Sequence, residues 1–252
     1  MIQAATADRY DHIGQRYAAF RQQDLRIADQ VRQAIGDADT LLNVGAGTGN
    51  YEPHDLDVVA VEPSTVMIAQ RPAGSAPVVR GVAESLPFAA GAFDVALAVL
   101  TVHHWADLAA GLREMRRVAS TQVVLLFDRS QVPPFWLHEY FPQPDDLSMK
   151  RSPPGVTDLA QTLAVQEVQP VPIPRDCTDG FGEASWARPH AYTDPAVQSG
   201  MSWLAMLPPD LIRQGTARLQ QDLATGRWDE EHGWLRHEPS YDGGHRLVIA
   251  RG

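Results

Sequence analysis

The chain is poor in cysteine. Cys177 is the single one, so no intrachain disulfide can staple the fold and no thiolate-based metal cluster can form. Basic residues are scarce as well. Lys and Arg number 21 against 31 Asp and Glu, a formal charge of −10. That balance lacks the basic footprint of a nucleic-acid binder and disfavours docking on anionic membranes. Long apolar runs are missing: the longest mostly apolar stretch, Phe93 to Val102, is about half of what a membrane span needs. The opening residues, MIQAATADRYDH, contain no apolar leader core. No GxxxxGK[ST] occurs, which argues against a P-loop triphosphate site. These absences lead us to expect a soluble, cytoplasmic protein with a small-molecule partner, no nucleic acid and no membrane. With 252 residues, 44% of them hydrophobic, the chain can build one large domain or one domain with a substantial insertion.

What is present is an alternation of two periodicities. Ile13, Tyr17 and Phe20, and then Leu25, Ala28, Val31 and Ile35, form helical stripes that stop at Gly36. Five short apolar runs follow: Leu41–Val44, Val58–Val61, Val78–Val79, Phe93–Leu100 and Val123–Phe127. They are nearly continuous in Val, Leu and Ala, as strands buried on both faces are. Helical patterns separate them, a short one after Ser64 and a longer one through Leu108, Leu112, Met115 and Val118. This order predicts an α/β fold with a doubly wound, mostly parallel sheet. Further on, a helix over Thr157–Leu163, a strand over Val165–Pro172 and a closing strand at Leu247–Ala250 are expected. Residues 173–244 are far more than a simple connection needs and predict a largely helical cap inserted before the last strand. The chain therefore divides into a helical cover (1–39), a ligand-binding core (40–130), the rest of the sheet with a proline- and aromatic-rich insertion (131–172), the cap (173–244) and a closing strand (245–252).

Open parallel sheets bind ligands beyond the carboxyl ends of their strands. After the first run comes Gly45-Ala46-Gly47-Thr48-Gly49, where glycines permit a tight turn and close backbone approach. The spacing is GxGxG rather than GxGxxG, which favours a nucleoside ligand over a dinucleotide. After the second run comes Glu62, then Pro63 and Ser64; a carboxylate there can accept two hydrogen bonds from a ribose diol. Gly81-Val82-Ala83-Glu84, Leu100-Thr101-Val102-His103-His104-Trp105 and Asp128 follow the remaining three.

At these positions the chain resembles the class I S-adenosylmethionine-dependent methyltransferases, and most closely their small-molecule branch with the ubiquinone and menaquinone methyltransferases. The pieces that carry the resemblance are LLNVGAGTG, VVAVEPS and GVAESLPFAAGAFDVALAVLTVHHWAD with the following helix, roughly residues 40–127. It implies a seven-stranded Rossmann-like sheet, S-adenosyl-L-methionine as cofactor and methyl transfer to a small molecule at an O, N or C atom. A cofactor-binding protein of the same fold with other chemistry, or a silent regulator, is the alternative. By the resemblance, Asn43, Gly45, Ala46 and Gly47 pass the methionine part of the cofactor. Glu62 and Pro63 meet the ribose, Ala83 and Glu84 the adenine edge, and the Leu100 carbonyl the amino group. Tyr10, Tyr17 and Arg21 would cover the cofactor and its carboxylate. Three departures are visible: Asn43 stands where an acidic residue is common, Val82 where an aspartate is, and only Asn50–Asp57 separate the glycine loop from the second strand, too few for a helix.

In-line methyl transfer needs alignment, exclusion of water and, for a protonated acceptor, a base. His104, His103 and Asp128 are the candidates, each set against a plain role in packing or capping. For the acceptor, Trp105, Phe135, Trp136, Trp186, His190 and Tyr192 are the candidates, because binding residues concentrate on loops and pockets favour aromatics. The polar segment Asp176–Gly182 is expected to form a lid or pocket wall. His138 and Glu139 have no third partner of suitable spacing, and no metal is expected.

Overall fold

The computed structural model describes residues 21–142, 153–205 and 207–252. Seven strands form one sheet: β1 (Thr40–Val44), β2 (Asp57–Glu62), β3 (Val78–Arg80), β4 (Phe93–Val99), β5 (Ala119–Phe127), β6 (Val165–Pro170) and β9 (His245–Arg251). Their order is β3-β2-β1-β4-β5-β9-β6, with β9 running antiparallel to both of its neighbours and the pairings among β1 to β5 all parallel. A separate two-stranded ribbon, β7 (Ile173–Pro174) with β8 (Ser240–Tyr241), ties the two ends of the cap together; the sequence pattern does not announce it.

Strands β1, β2, β4, β5 and β9 each feed two cores. Leu41, Val95, Leu97, Val123, Leu125, Leu247 and Ile249 face one side, and Leu42, Ala96, Ala98, Val124, Leu126, Val248 and Ala250 face the other. The period-2 alternation of side chains thus meets apolar layers on both sides, which is why the strands read as unbroken apolar runs. On the second side lie α3 (Leu108–Val118), through Leu112, Met115 and Val118, and α4 (Val156–Ala160), through Leu159. On the first lies α1 (Leu25–Ile35), capped at its start by the Asp24 side chain and ended by Gly36 at φ 71°.

The cap contains α5 (Pro195–Gly200), α6 (Ser202–Ala205), α7 (Pro209–Thr225) and α8 (Arg227–His232). It packs on the same side as α1, and its apolar residues join that core as one cluster. The short α2 (Thr65–Ala69), capped by Ser64, follows β2. Between the glycine loop and β2 there are only turns and no helix, as the short separation over residues 50–56 requires. Among the described residues no helix is long and apolar enough to cross a membrane.

Candidate active site

The carboxyl ends of β1, β2, β3 and β4 open into one cleft. The glycine loop forms its floor. Gly45 sits at φ +73°, and a β-carbon there would lie 2.3 Å from Thr101 Oγ1, so only glycine lets β1 turn beneath the loop after β4. Gly47, at φ +53°, has open space where a side chain would be. The backbone is thereby bare on the side a ligand approaches.

Glu62 closes the loop from the neighbouring strand. Its carboxylate accepts from Gly47 N at 2.8 Å through Oε2 and from Ser64 N at 2.8 Å through Oε1. The residue is buried yet lines the cleft. A carboxylate at this strand end is the group that can accept from the hydroxyls of a vicinal diol.

The acid missing at Asn43 is supplied from elsewhere. Asn43 Nδ2 donates to Glu52 Oε1 at 3.0 Å, and Arg71 NH2 donates to both Glu52 oxygens at 2.9 and 2.7 Å. Both side chains of this ion pair are 5% exposed. Arg71 also bonds the Ala76 carbonyl and lies against Gly49. The pair is a buried brace under the glycine loop. Neither partner stands in a recognisable motif, and the pairing spans 19 residues.

Every sequence-predicted cofactor residue within the described part lines this cleft. Asn43, Gly45, Ala46 and Gly47 come from β1 and its loop, and Glu62 and Pro63 from the end of β2. Ala83 and Glu84 follow β3, Leu100 follows β4, and Arg21 precedes α1. Val82, the departure noted at this position, contributes an apolar wall. Glu84 also accepts from Ala106 N and Asp107 N, fixing the loop that leads into α3. Leu100 adopts φ +49°, a conformation costly for a branched side chain. Its amide is held by the Leu125 carbonyl at 2.8 Å. Tyr10 and Tyr17 lie outside the described residues, as does the stripe Ile13–Phe20.

Tyr51 is a cleft residue that sequence reasoning missed. It adopts φ +65°, lines the cleft and donates its hydroxyl to Asp179 Oδ2 at 2.7 Å. Burial, and then the Asp179 carboxylate, push its phenol pKa far above the usual value. Asp179 also receives Arg21 Nε at 2.7 Å and NH2 at 3.3 Å. Next to it, Thr178 N donates to Asp24, and Arg26 bridges Asp24 and Asp176. Residues 176–179 are thus anchored against the start of α1, behind Arg21 and Tyr51, and none of residues 176–182 lines the cleft directly.

Of the catalytic candidates, His104 lines the cleft beside Thr101. Its ring lies 3.7 Å from that of His103, tilted by 51°. His103 is exposed at this rim; desolvation and the Arg21 cation pull its pKa down, and solvent contact screens that effect. Asp128 is not a lining residue. Its oxygens accept from Ser130 N, Ser130 Oγ and Val156 N at 3.0, 2.6 and 2.8 Å. Desolvation opposes its ionisation, but these bonds outweigh it and the pKa is lowered. It is the capping residue for two helical starts, so the structure removes it from the catalytic set.

The acceptor candidates need a larger correction. Trp105 lines the cleft, its ring wedged against Gly111. Phe135, Trp136, Trp186 and Tyr192 are buried in the core that joins cap to sheet. Their polar atoms are spent there: Trp136 Nε1 on the Trp186 carbonyl, Trp186 Nε1 on the Ile173 carbonyl, and Tyr192 OH on the Gly182 carbonyl. His190 is exposed away from the cleft lining. Aromatics cluster here because they carry large apolar area in a cap of short helices. Cys177 is buried, and its thiol is pushed up to about 12 by burial, so it is inert. One grouping of potential metal ligands occurs among the described residues, Glu139, Glu231 and His232. Its glutamates are exposed, and Glu139 is paired with His232 at 3.1 Å.

Known proteins place this geometry. Residues 42–127 match the family model described as a methyltransferase domain. A protein of Anabaena variabilis, assigned as a methyltransferase of an antibiotic biosynthesis pathway, is 30% identical. The similarity covers 92% of this chain and 99% of that one, with a TM-score of 0.83. The YcgJ protein of Bacillus subtilis shares the fold at 17% identity, over 89% and 96% of the two chains, with a TM-score of 0.52. The uncharacterized protein YafE of Escherichia coli (strain K12) is 51% identical over 39 residues, which span only 16% of this chain and 19% of YafE.

Proposed function

Because the chain belongs to the class I S-adenosylmethionine-dependent methyltransferases, we propose that it carries a methyl group from S-adenosylmethionine to a small-molecule acceptor brought to the β4 side of the cleft. The observation that carries this reading is Glu62: a buried carboxylate at the end of β2 that lines the cleft and is bonded to the bare glycine loop, where a ribose diol would meet it. The cradle fits a nucleoside bearing an amino acid. Gly47 leaves room for its amino-acid portion, Val82 and Ala83 offer an apolar face to a base, and Leu100 turns a strained backbone toward the cleft.

The bound cofactor supplies an electrophilic methyl on a sulfonium. The protein's share is placement. Trp105 and Tyr51 wall the cleft and exclude water, and Arg21, held by Asp179, lies at its margin. His104, on the loop after β4, is the residue we assign to take the proton of a protic acceptor, with an imidazole suited to that task near neutral pH. The aromatic cap contributes rigidity more than contact.

A labelled-methyl assay across phenols, amines, carboxylates and activated carbons tests the proposal. Label in a small molecule supports it. Label in protein or RNA would assign a macromolecular acceptor instead, and cofactor binding with no transfer to any class would leave a cofactor-binding protein of other function. His104→Ala should lower turnover with cofactor affinity unchanged; a wild-type rate would demote His104 to packing.

A further inference from the structure

Two buried ionisable side chains outside the cofactor cleft stand together at its edge. His245 opens β9 directly opposite Phe127, the last residue of β5. It therefore lies on the same rim as the strand ends that form the cleft. The cleft occupies the ends of β3, β2, β1 and β4, and in the sheet order the next places along the rim are β5 and β9. An acceptor approaching the cofactor from beside β4 meets this part of the sheet.

His245 is 3% exposed, and its Nδ1 has no hydrogen-bond partner. Its ring is flanked by Phe181 at 4.6 Å and Phe127 at 5.6 Å. Its Nε2 lies 3.9 Å from Glu183 Oε2, beyond hydrogen-bond length. Glu183 is 8% exposed, and among the described residues no Lys or Arg forms an ion pair with it. Burial pushes the Glu183 carboxyl up to about 7 and the His245 imidazolium down to about 4. At longer range Asp179 and Asp242 oppose Arg21 and Arg246 around His245, and Arg129 and Arg21 act on Glu183. The two groups are thus uncharged together over an interval reaching up to neutrality, offering a carboxyl O–H and an imidazole lone pair among aromatic rings. Arg21 connects them to the cleft: it lines the cleft and lies 6.0 Å over the Phe181 ring.

Buried polar groups are nearly always hydrogen-bonded, and each left open costs stability. The Glu183 carboxyl is met by its own backbone amide, whereas His245 Nδ1 stands open beside it, and a ligand at the acceptor side of the rim would complete the set. We propose that Glu183 and His245 form the acceptor-recognition pair, and that the acceptor they fit is an uncharged aromatic molecule held through a hydroxyl group. This rests on the methyltransferase reading and narrows its acceptor class. An ammonium would need a fixed carboxylate, and a carboxylate acceptor a fixed cation; the pair provides neither, whereas a hydroxyl can donate to one member and accept from the other.

The test uses the full chain saturated with S-adenosylhomocysteine, titrated with 4-ethylphenol, phenethylamine and phenylacetate. The phenol should bind about tenfold more tightly than either charged probe. His245→Phe and Glu183→Leu should each cost the phenol about tenfold while S-adenosylhomocysteine affinity stays within about twofold. In the wild type, the His245 Nδ1 nitrogen NMR signal should move when the phenol is added, a readout that stands even where a variant fails to fold. Equal or tighter binding of a charged probe, binding of no probe, unaltered phenol affinity in the variants, or a stationary Nδ1 signal with phenol bound would each overturn the proposal. A wild type that fails to bind S-adenosylhomocysteine would instead remove the reading beneath it.

Discussion

Glu52→Gln isolates the brace beneath the glycine loop. In the native protein Glu52 and Arg71 are each 5% exposed and meet at 2.7 Å. The glutamine keeps an oxygen for Asn43 Nδ2 but leaves the Arg71 guanidinium buried without its counter-charge. Breaking one side of a buried pair typically costs about 3–5 kcal/mol, far more than the pair's net worth. Arg71 Nε already lacks a partner, so little local compensation is at hand, and we expect about 3 kcal/mol. For a chain of this size that corresponds to a fall in Tm of about 6–12 °C. Denaturant unfolding should show a lower midpoint with an unchanged slope. Cofactor affinity should fall as well, since Arg71 lies against Gly49. Glu52→Gln combined with Arg71→Met removes both charges and should sit closer to the wild type than Glu52→Gln alone. A single-variant loss below about 1 kcal/mol, the range of an exposed pair, would refute the reasoning.

Other perturbations reach different parts of the account. Gly45→Ala places a β-carbon 2.3 Å from Thr101 Oγ1 at φ +73°, so cofactor binding should be lost in calorimetry with a stability cost of about 1–3 kcal/mol; retained affinity would show that the loop can shift. Asp128→Asn should destabilise by about 1–2 kcal/mol through the lost caps while leaving cofactor affinity unchanged, because Asp128 does not line the cleft. Glu183 holds its proton more tightly folded, at about 7, than at its ordinary 4.5, so its contribution to stability declines as pH rises from 4.5 through 7. Burial of neutral His245 acts oppositely, its contribution being lost as pH falls from 6.5 through 4. Glu183→Gln should therefore abolish the alkaline-side decline and raise stability at pH 8 by about 3 kcal/mol; melts from pH 5 to 8 that superimpose on the wild type would contradict this.

The layered architecture was legible because its signals are local. Strands such as Leu41–Val44 and Val123–Phe127 are buried on both faces and read as apolar runs, and glycine or a carboxylate at a strand end announces a ligand by position alone. Glu62 and Gly45 carry their meaning within a few residues of a strand. Cap contacts are different. Trp186 and Tyr192 look alike in sequence whether they line a pocket or fill a core. Their fate depends on the cap packing onto the α1 side of the sheet, a tertiary fact. Asp128 was ambiguous for a similar reason, since the amide it caps at Val156 lies 28 residues away. Tyr51 and Glu52 were invisible, and so were the partners of Asp179, because the bonded residues are 128, 19 and 158 residues apart. No motif spans such separations. The Glu183–His245 pair likewise arises only when β9 returns to lie beside β5.

Titration calorimetry of the wild type and Glu62→Ala with S-adenosylmethionine and S-adenosylhomocysteine tests the central claim most directly. The account predicts that the wild type binds both and that Glu62→Ala, folded by circular dichroism, weakens each by about 10- to 100-fold, the loss of charge-assisted hydrogen bonds to a ribose diol. A wild type that binds neither nucleoside, or a variant with undiminished affinity, would contradict it.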